Sequence, residues 1–135
     1  MSDLRLKQFI DDLGNALDRL DEALAGPEDV RAYRDSTILS FTFVYELAWH
    51  AMQRLLYLEG VELNTPRSVL QRAYQSHWFD DEQTWLDMAG DRNLVVHTYK
   101  EPAAVELYHR IKERHAPELR RLYHTLPERF ADLLA

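Results

Sequence analysis

The sequence predicts an all-α fold, an up-and-down antiparallel helical bundle, and three observations carry that prediction. Apolar residues recur at three- and four-residue intervals along most of the chain, the period of an amphipathic helix. No stretch of useful length alternates apolar and polar residues as a half-buried strand does. Glycine and proline cut the periodic stretches into segments with short connections, which favours antiparallel neighbours. With 135 residues and 46% hydrophobic content, the chain can bury a core. It shows no internal repeat, linker or low-complexity segment, and reads as a single helical domain over 1–135.

The first helix is expected from about Asp3 to Leu24. Leu6, Phe9, Ile10, Leu13, Leu17, Leu20 and Leu24 form its apolar stripe. Gly26-Pro27 ends it, because proline cannot continue the hydrogen-bond ladder. The second helix, about Val30 to Glu59, is apolar nearly all round between Ile38 and Leu58. Such a helix must be covered on several sides: it is the centre of a bundle, or it lies at a subunit interface. Gly60 stops it. Thr65 caps a short third helix with Pro66 at the first helical position. A fourth is expected to begin at Asp80, with Gln83 in the capping-box position, and to end before Gly90. The fifth starts near Pro102 and runs toward Pro117, and a last helical piece spans Pro127 to Leu134.

Composition narrows the function classes. Cysteine is absent, so disulfides and thiolate metal sites are excluded, which fits a reducing, cytoplasmic location. The N-terminus has no uninterrupted apolar run of the signal-peptide kind, and no apolar run reaches bilayer-spanning length, so no membrane role is expected. The net charge of −7 argues against a non-specific nucleic-acid coat protein but not against a local cationic site. The charge is uneven. Asp11, Asp12, Asp18, Asp21 and Glu22 crowd the first helix, while Arg110, Lys112, Arg114, Arg120 and Arg121 make the late chain basic. Solvated helix faces are the simplest reading of both runs.

Chemistry concentrates in one segment. Asp91-Arg92-Asn93 and His97-Thr98-Tyr99 bracket the apolar triplet Leu94-Val95-Val96, which is expected to anchor the stretch in packing. On an ideal helix Asn93 and His97 share a face, whereas Arg92 and His97 point about 140° apart. For both to serve one site, the helix must bend or end between them, or a second subunit must complete the site. Arginine with histidine is a sensible minimum for cleaving RNA without a metal. Histidine moves protons to or from the 2′-hydroxyl or the leaving oxygen, and arginine holds a phosphate as its charge builds. A structural reading competes: Arg92 in a surface ion pair and His97 on a carbonyl. The spacing alone does not separate the two.

Three blocks supply context. Arg34-Asp35-Ser36-Thr37-Ile38 leads into Phe43-Val44-Tyr45-Glu46-Leu47-Ala48-Trp49; Thr65-Pro66-Arg67-Ser68-Val69 follows; Trp85-Leu86-Asp87-Met88 then continues through Asp91-Arg92-Asn93 to His97-Thr98-Tyr99. In order and spacing, this resembles the HEPN superfamily and, within it, the nucleotidyltransferase substrate-binding proteins related to the HepT toxins. The resemblance implies a four- to five-helix up-and-down antiparallel bundle, HEPN-like, that forms homodimers with Arg-x4-6-His motifs facing a shared cleft. It implies a metal-independent endoribonuclease that needs no cofactor, with Arg92 and His97 catalytic and Asn93 matching the polar residue after the arginine. It implies a minimal nucleotidyltransferase partner, encoded nearby, that silences the RNA-cleaving toxin by transferring AMP to Tyr99. The alternative, favoured by the acidic charge, is a non-catalytic subunit that binds nucleotide or substrate for the nucleotidyltransferase.

Other residues carry weaker expectations. Glu46, inside the most apolar helix, either helps orient the cleft arginine or is satisfied by a neighbour such as Arg34 or Arg67, since a buried carboxylate needs a partner. Asp91 is a supporting candidate of the same kind. The remaining histidines show no metal-ligand spacing, so no metal is expected. Trp49 and Trp85 fall on apolar stripes and are expected in the core, whereas Trp78 is a candidate base-stacking surface.

Overall fold

The computed structural model describes residues 2–97 and 100–135, apart from the His97 side chain. All regular structure among the described residues is helical: α1 (Leu4–Ala25), α2 (Arg31–Leu58), α3 (Pro66–Gln75), α4 (Glu82–Leu94), α5 (Glu101–Arg110), α6 (Ala116–Arg129) and the short α7 (Ala131–Leu134). A 3₁₀ turn, Val95–His97, closes α4, and a π turn, Ile111–His115, joins α5 to α6. Among these residues no helix is long and apolar enough to cross a membrane.

Polar contacts fix the directions. Asp3, the N-cap of α1, accepts from Arg54 near the end of α2 at 2.8 and 3.1 Å, so α1 and α2 run antiparallel. Trp85, Asp87 and Asp91 on α4 meet Glu118, Arg114 and Arg110 in turn, so α4 runs against the α5–α6 rod. The expected stripe of α1 packs on α2 with Leu6, Leu13, Leu17 and Leu20 buried. The α2 helix is the centre of the bundle: Phe41, Val44, Met52 and Leu55 are fully enclosed. Each large apolar side chain buried in this way stabilises the fold by about 1.5–3 kcal/mol. Cover is incomplete along α2, most of all at two neighbouring positions. Leu39 and Phe43, one turn apart, are each 57% exposed.

Caps explain most boundaries. Gly60, at φ +89°, ends α2 in a left-handed turn in which Val61 N–H reaches Leu56 O at 2.8 Å and Gly60 N–H reaches Tyr57 O at 3.0 Å. His77 takes the same left-handed position after α3, at φ 61°, where an L side chain carries a steric cost. Thr65 accepts from Ser68 N–H as N-cap of α3, and Pro66 follows.

The structure corrects four boundary expectations. The N-cap of α4 is Asp81, not Asp80, because its carboxylate takes both the Thr84 N–H and the Thr84 hydroxyl. Gln83 forms no capping box and donates instead to Asp87. Gly90 does not end α4, since buried Met88 and Asp91 on either side outweigh the roughly 1 kcal/mol cost of a mid-helix glycine. The chain also stays helical through Pro117 and Pro127. The π turn just before Pro117, with Ala116 N–H on Ile111 O, absorbs the rung that proline cannot make. Buried Leu119, Leu122 and Leu126 keep α6 in register until Phe130.

Candidate functional site

Three elements enclose a cleft of about 500 Å³: α2 through Tyr45 and Glu46, the start of α3 through Thr65 and Arg67, and α4 through Arg92 and Asn93. Arg92 lies in the last turn of α4, immediately before the 3₁₀ turn that ends with His97. The regular helix thus ends between the two motif residues, one of the arrangements that the spacing required. The His97 side chain and Tyr99 lie outside the described residues.

Glu46 organises the cleft wall. Its Oε1 accepts from Arg92 Nε at 3.0 Å, and its Oε2 accepts from Trp49 Nε1 at 3.0 Å, with His50 Nε2 at 3.7 Å. The two expectations for Glu46 are therefore separated: it holds Arg92, while Arg34 pairs with Glu101 at 2.7 Å and Arg67 has no partner among the described residues. Glu46 is about as exposed as Arg92, 35% each, so it is not the buried carboxylate that its neighbours suggested. Arg92 engages through Nε alone, which leaves its two terminal amino groups without a partner among the described residues. That edge of the guanidinium suits an oxyanion.

Asp91, next in sequence, points elsewhere. It is buried and accepts from Arg110 Nε at 3.0 Å, Arg110 Nη2 at 2.9 Å and His115 Nε2 at 2.7 Å. Burial, the largest influence, raises the Asp91 carboxyl. The hydrogen bonds from His115 and Arg110 outweigh it and hold the carboxyl below its ordinary range. Asp91 does not line the cleft; it clamps α4, and with it Arg92, to the α5–α6 rod. The π turn delivers His115 to this clamp, fully buried and stacked on Phe41. Asn93 does line the cleft.

Other expectations resolve by packing. Of the triplet, Val95 packs against the core, whereas Leu94 and Val96 are 49% and 72% exposed. Neither the end of α4 nor the 3₁₀ turn can present three successive residues to one face. Trp78 is buried edge-on to Phe130, like Trp49 and Trp85 in the core, so no tryptophan offers a free face to a base. The late basic run is taken up in ion pairs: Arg110–Asp91, Lys112–Glu28, Arg114–Asp87, Arg120–Asp21 and Arg121–Glu118. Among the described residues no group of three or more His, Asp or Glu is placed to hold a metal.

Sequence reasoning missed two contributors. Tyr45 belongs to the core, as its place in the apolar helix predicts, yet its side chain also forms part of the cleft wall. Its hydroxyl is buried with no hydrogen-bond partner among the described residues. A hydroxyl among apolar neighbours and beside Glu46 was the available signal. The clamp of Arg110 and His115 on Asp91 had no local signal, because it joins residues 19 and 24 positions apart.

Comparison with known proteins bears on the family and the fold. Residues 8–128 match the family described as nucleotidyltransferase substrate binding protein like, and the chain belongs to that family. A crystal structure of a protein from Thermus thermophilus is 31% identical, covers 87% of this chain with 97% of its own, and superposes with a TM-score of 0.73. The tri-AMPylated Shewanella oneidensis HEPN toxin, in complex with MNT antitoxin, is 14% identical, with 93% and 98% of the two chains covered and a TM-score of 0.76. At that identity the likeness is one of fold: this chain has the HEPN fold. No curated protein sequence matches the chain.

Proposed function

We propose that the protein is the toxin-like HEPN half of a two-gene module: a cytoplasmic, homodimeric, metal-independent ribonuclease neutralised by AMP transfer from a minimal nucleotidyltransferase. The observation that carries this reading is Arg92 held through Nε by Glu46, with its terminal amino groups unpartnered among the described residues beside a cleft, one short turn before His97. The similarity to an AMPylated HEPN toxin bound to its MNT antitoxin supports the partner and the mode of silencing. Exposed Leu39 and Phe43 on α2, and Leu94 and Val96 within the motif segment, offer apolar surface that a second copy would cover.

In this reaction the ribose 2′-oxygen attacks the adjoining phosphorus and the bond to the 5′-oxygen breaks, leaving a 2′,3′-cyclic phosphate and a 5′-hydroxyl. His97 takes the proton from the 2′-hydroxyl and returns one to the leaving oxygen. Arg92 stabilises the charge that grows on the non-bridging oxygens. AMP on Tyr99, two residues from His97, places bulk and negative charge where RNA must sit. The family description favours a second reading, a non-catalytic subunit that binds nucleotide for the nucleotidyltransferase.

Expression of wild type and His97→Ala distinguishes them. The proposal expects growth arrest and RNA cleavage from wild type only, with both proteins equally folded; equal toxicity, or intact RNA with unmodified wild type, refutes it. Incubation with the neighbouring nucleotidyltransferase and ATP is expected to add AMP mass to the Tyr99 peptide, and an unchanged mass removes Tyr99 as the switch. A native mass of one 16.0 kDa chain in solution counts against the homodimer.

A further inference from the structure

The geometry points to a second phosphate position, formed by Arg67 and the N-terminus of α3 in the cleft that Arg92 also lines, that seats the phosphate next to the one being cleaved. This inference rests on the ribonuclease reading for the identity of the chain that carries the phosphates, and on the helix end, the arginine, the local charge it brings and a buried hydroxyl for the position itself.

The N-terminus of the ten-residue α3 opens on the cleft, with Thr65 and Pro66 in its wall. Thr65 already satisfies the Ser68 N–H, and proline has none. The Arg67 N–H is therefore the donor left free, at the positive end of the helix dipole. The Arg67 side chain is exposed, lines the cleft and has no ion pair or hydrogen bond among the described residues. The ionised groups of the cleft wall are Arg67, Arg92 and Glu46, a local charge of +1 in a chain whose total is −7. Finally, Tyr45, a residue only 2% exposed that lines the same cleft, has a buried hydroxyl without a partner among the described residues.

The Tyr45 hydroxyl belongs to this site electrostatically. Burial and the Glu46 carboxylate push its phenol up while the Arg92 guanidinium pulls it down, so two of the three charged residues of the cleft act on it. It stays a neutral O–H donor with no acceptor among the described residues, and a phosphate oxygen seated between Arg92 and α3 supplies one. Two cations from different helices lining one cleft match the repeating phosphates of a single strand better than one isolated anion. Arg92 is held by Glu46 for the reacting group, whereas Arg67, unpartnered among the described residues, is free to follow a flexible backbone.

The test measures binding apart from cleavage. Full-length wild type, Arg67→Ala and Tyr45→Phe are titrated with a fluorescently labelled 2′-O-methyl oligoribonucleotide, which cannot be cleaved, and separately with ATP as a free phosphate source. Arg67 is exposed and unpartnered, so its removal is expected to leave the melting temperature unchanged. Arg67→Ala is expected to weaken oligonucleotide binding by about tenfold and to reduce the slope of log affinity against log salt by about 0.7, one phosphate contact on a single strand. Tyr45→Phe is expected to weaken binding by a few-fold. On cleavable RNA, Arg67→Ala is expected to raise KM more than it lowers kcat. Affinity within twofold of wild type and an unchanged salt slope for Arg67→Ala overturn the phosphate position, and leave the ribonuclease reading standing if wild type still cleaves. If ATP binding depends on Arg67 while RNA is neither bound nor cleaved, the phosphate position stands and the ribonuclease reading falls. If wild type binds neither probe, both fall.

Discussion

Replacing Asp91 with alanine removes the one acceptor shared by Arg110 and His115. His115 is fully buried, Asp91 Oδ2 at 2.7 Å is the partner of its Nε2, and its Nδ1 already has none among the described residues. Stranding that imidazole costs about 1–3 kcal/mol. Arg110, whose side chain is 35% exposed, keeps access to water, so its loss adds only about 0.5–1 kcal/mol. The total is about 3 kcal/mol. An unfolding entropy near 2 cal/mol/K per residue gives, for 135 residues, about 0.3 kcal/mol per degree and a fall in Tm of about 10 °C. Thermal melts followed by circular dichroism at pH 7 measure it, with Asp91→Asn as a milder companion that keeps one acceptor oxygen. Because Arg92 is the next residue, Asp91→Asn is also expected to lower RNA cleavage at temperatures where it remains folded. A Tm for Asp91→Ala within about 2 °C of wild type would refute the clamp, since a buried group cannot lose its sole partner at no cost.

The same clamp sets an acid limit. The Asp91 carboxyl is held below its ordinary value, so its stabilisation is complete above the unfolded pKa of about 3.9 and is lost as pH falls through the lower folded value. The Tm difference between wild type and Asp91→Ala is therefore expected to be flat down to about pH 4 and to shrink below it. Gly90 sits mid-helix with nothing within 4 Å of an added Cβ, so Gly90→Ala is expected to raise stability by about 0.5–1 kcal/mol, read from denaturant midpoints. Glu46→Gln removes a half-exposed ion pair worth less than about 1 kcal/mol to stability, yet it releases Arg92 and is expected to slow RNA cleavage by about tenfold. An unchanged kcat would show that Arg92 needs no holding.

Local rules carry far in this chain. The stripe from Leu6 to Leu20, the Thr65-Pro66 start of α3 and the Gly60 stop of α2 all follow from helix period and capping, which act over a few residues and leave their mark in the sequence. Where those rules mislead, a distant contact overrules a local preference. Gly90 and Pro117 look like stops, but Asp91 bound to Arg110 and His115, and the stripe of Leu119, Leu122 and Leu126, hold the helices through them.

The site divides in the same way. The sequence by itself determined the helical class and the family, and it singled out Arg92, Asn93 and His97 as the candidate site. It could not decide what Glu46 does, because three arginines were equally available to it in sequence; only the packing of α4 on α2 chose Arg92. Nor could it separate Asp91 from Arg92, neighbours that face a buried clamp and an open cleft. The Tyr45 hydroxyl and Arg67, both without a partner among the described residues in the cleft that Arg92 lines, became visible only when α2, α3 and α4 were brought together. Helix periodicity is written in neighbouring residues. A cleft is made by residues that the chain separates and the bundle joins.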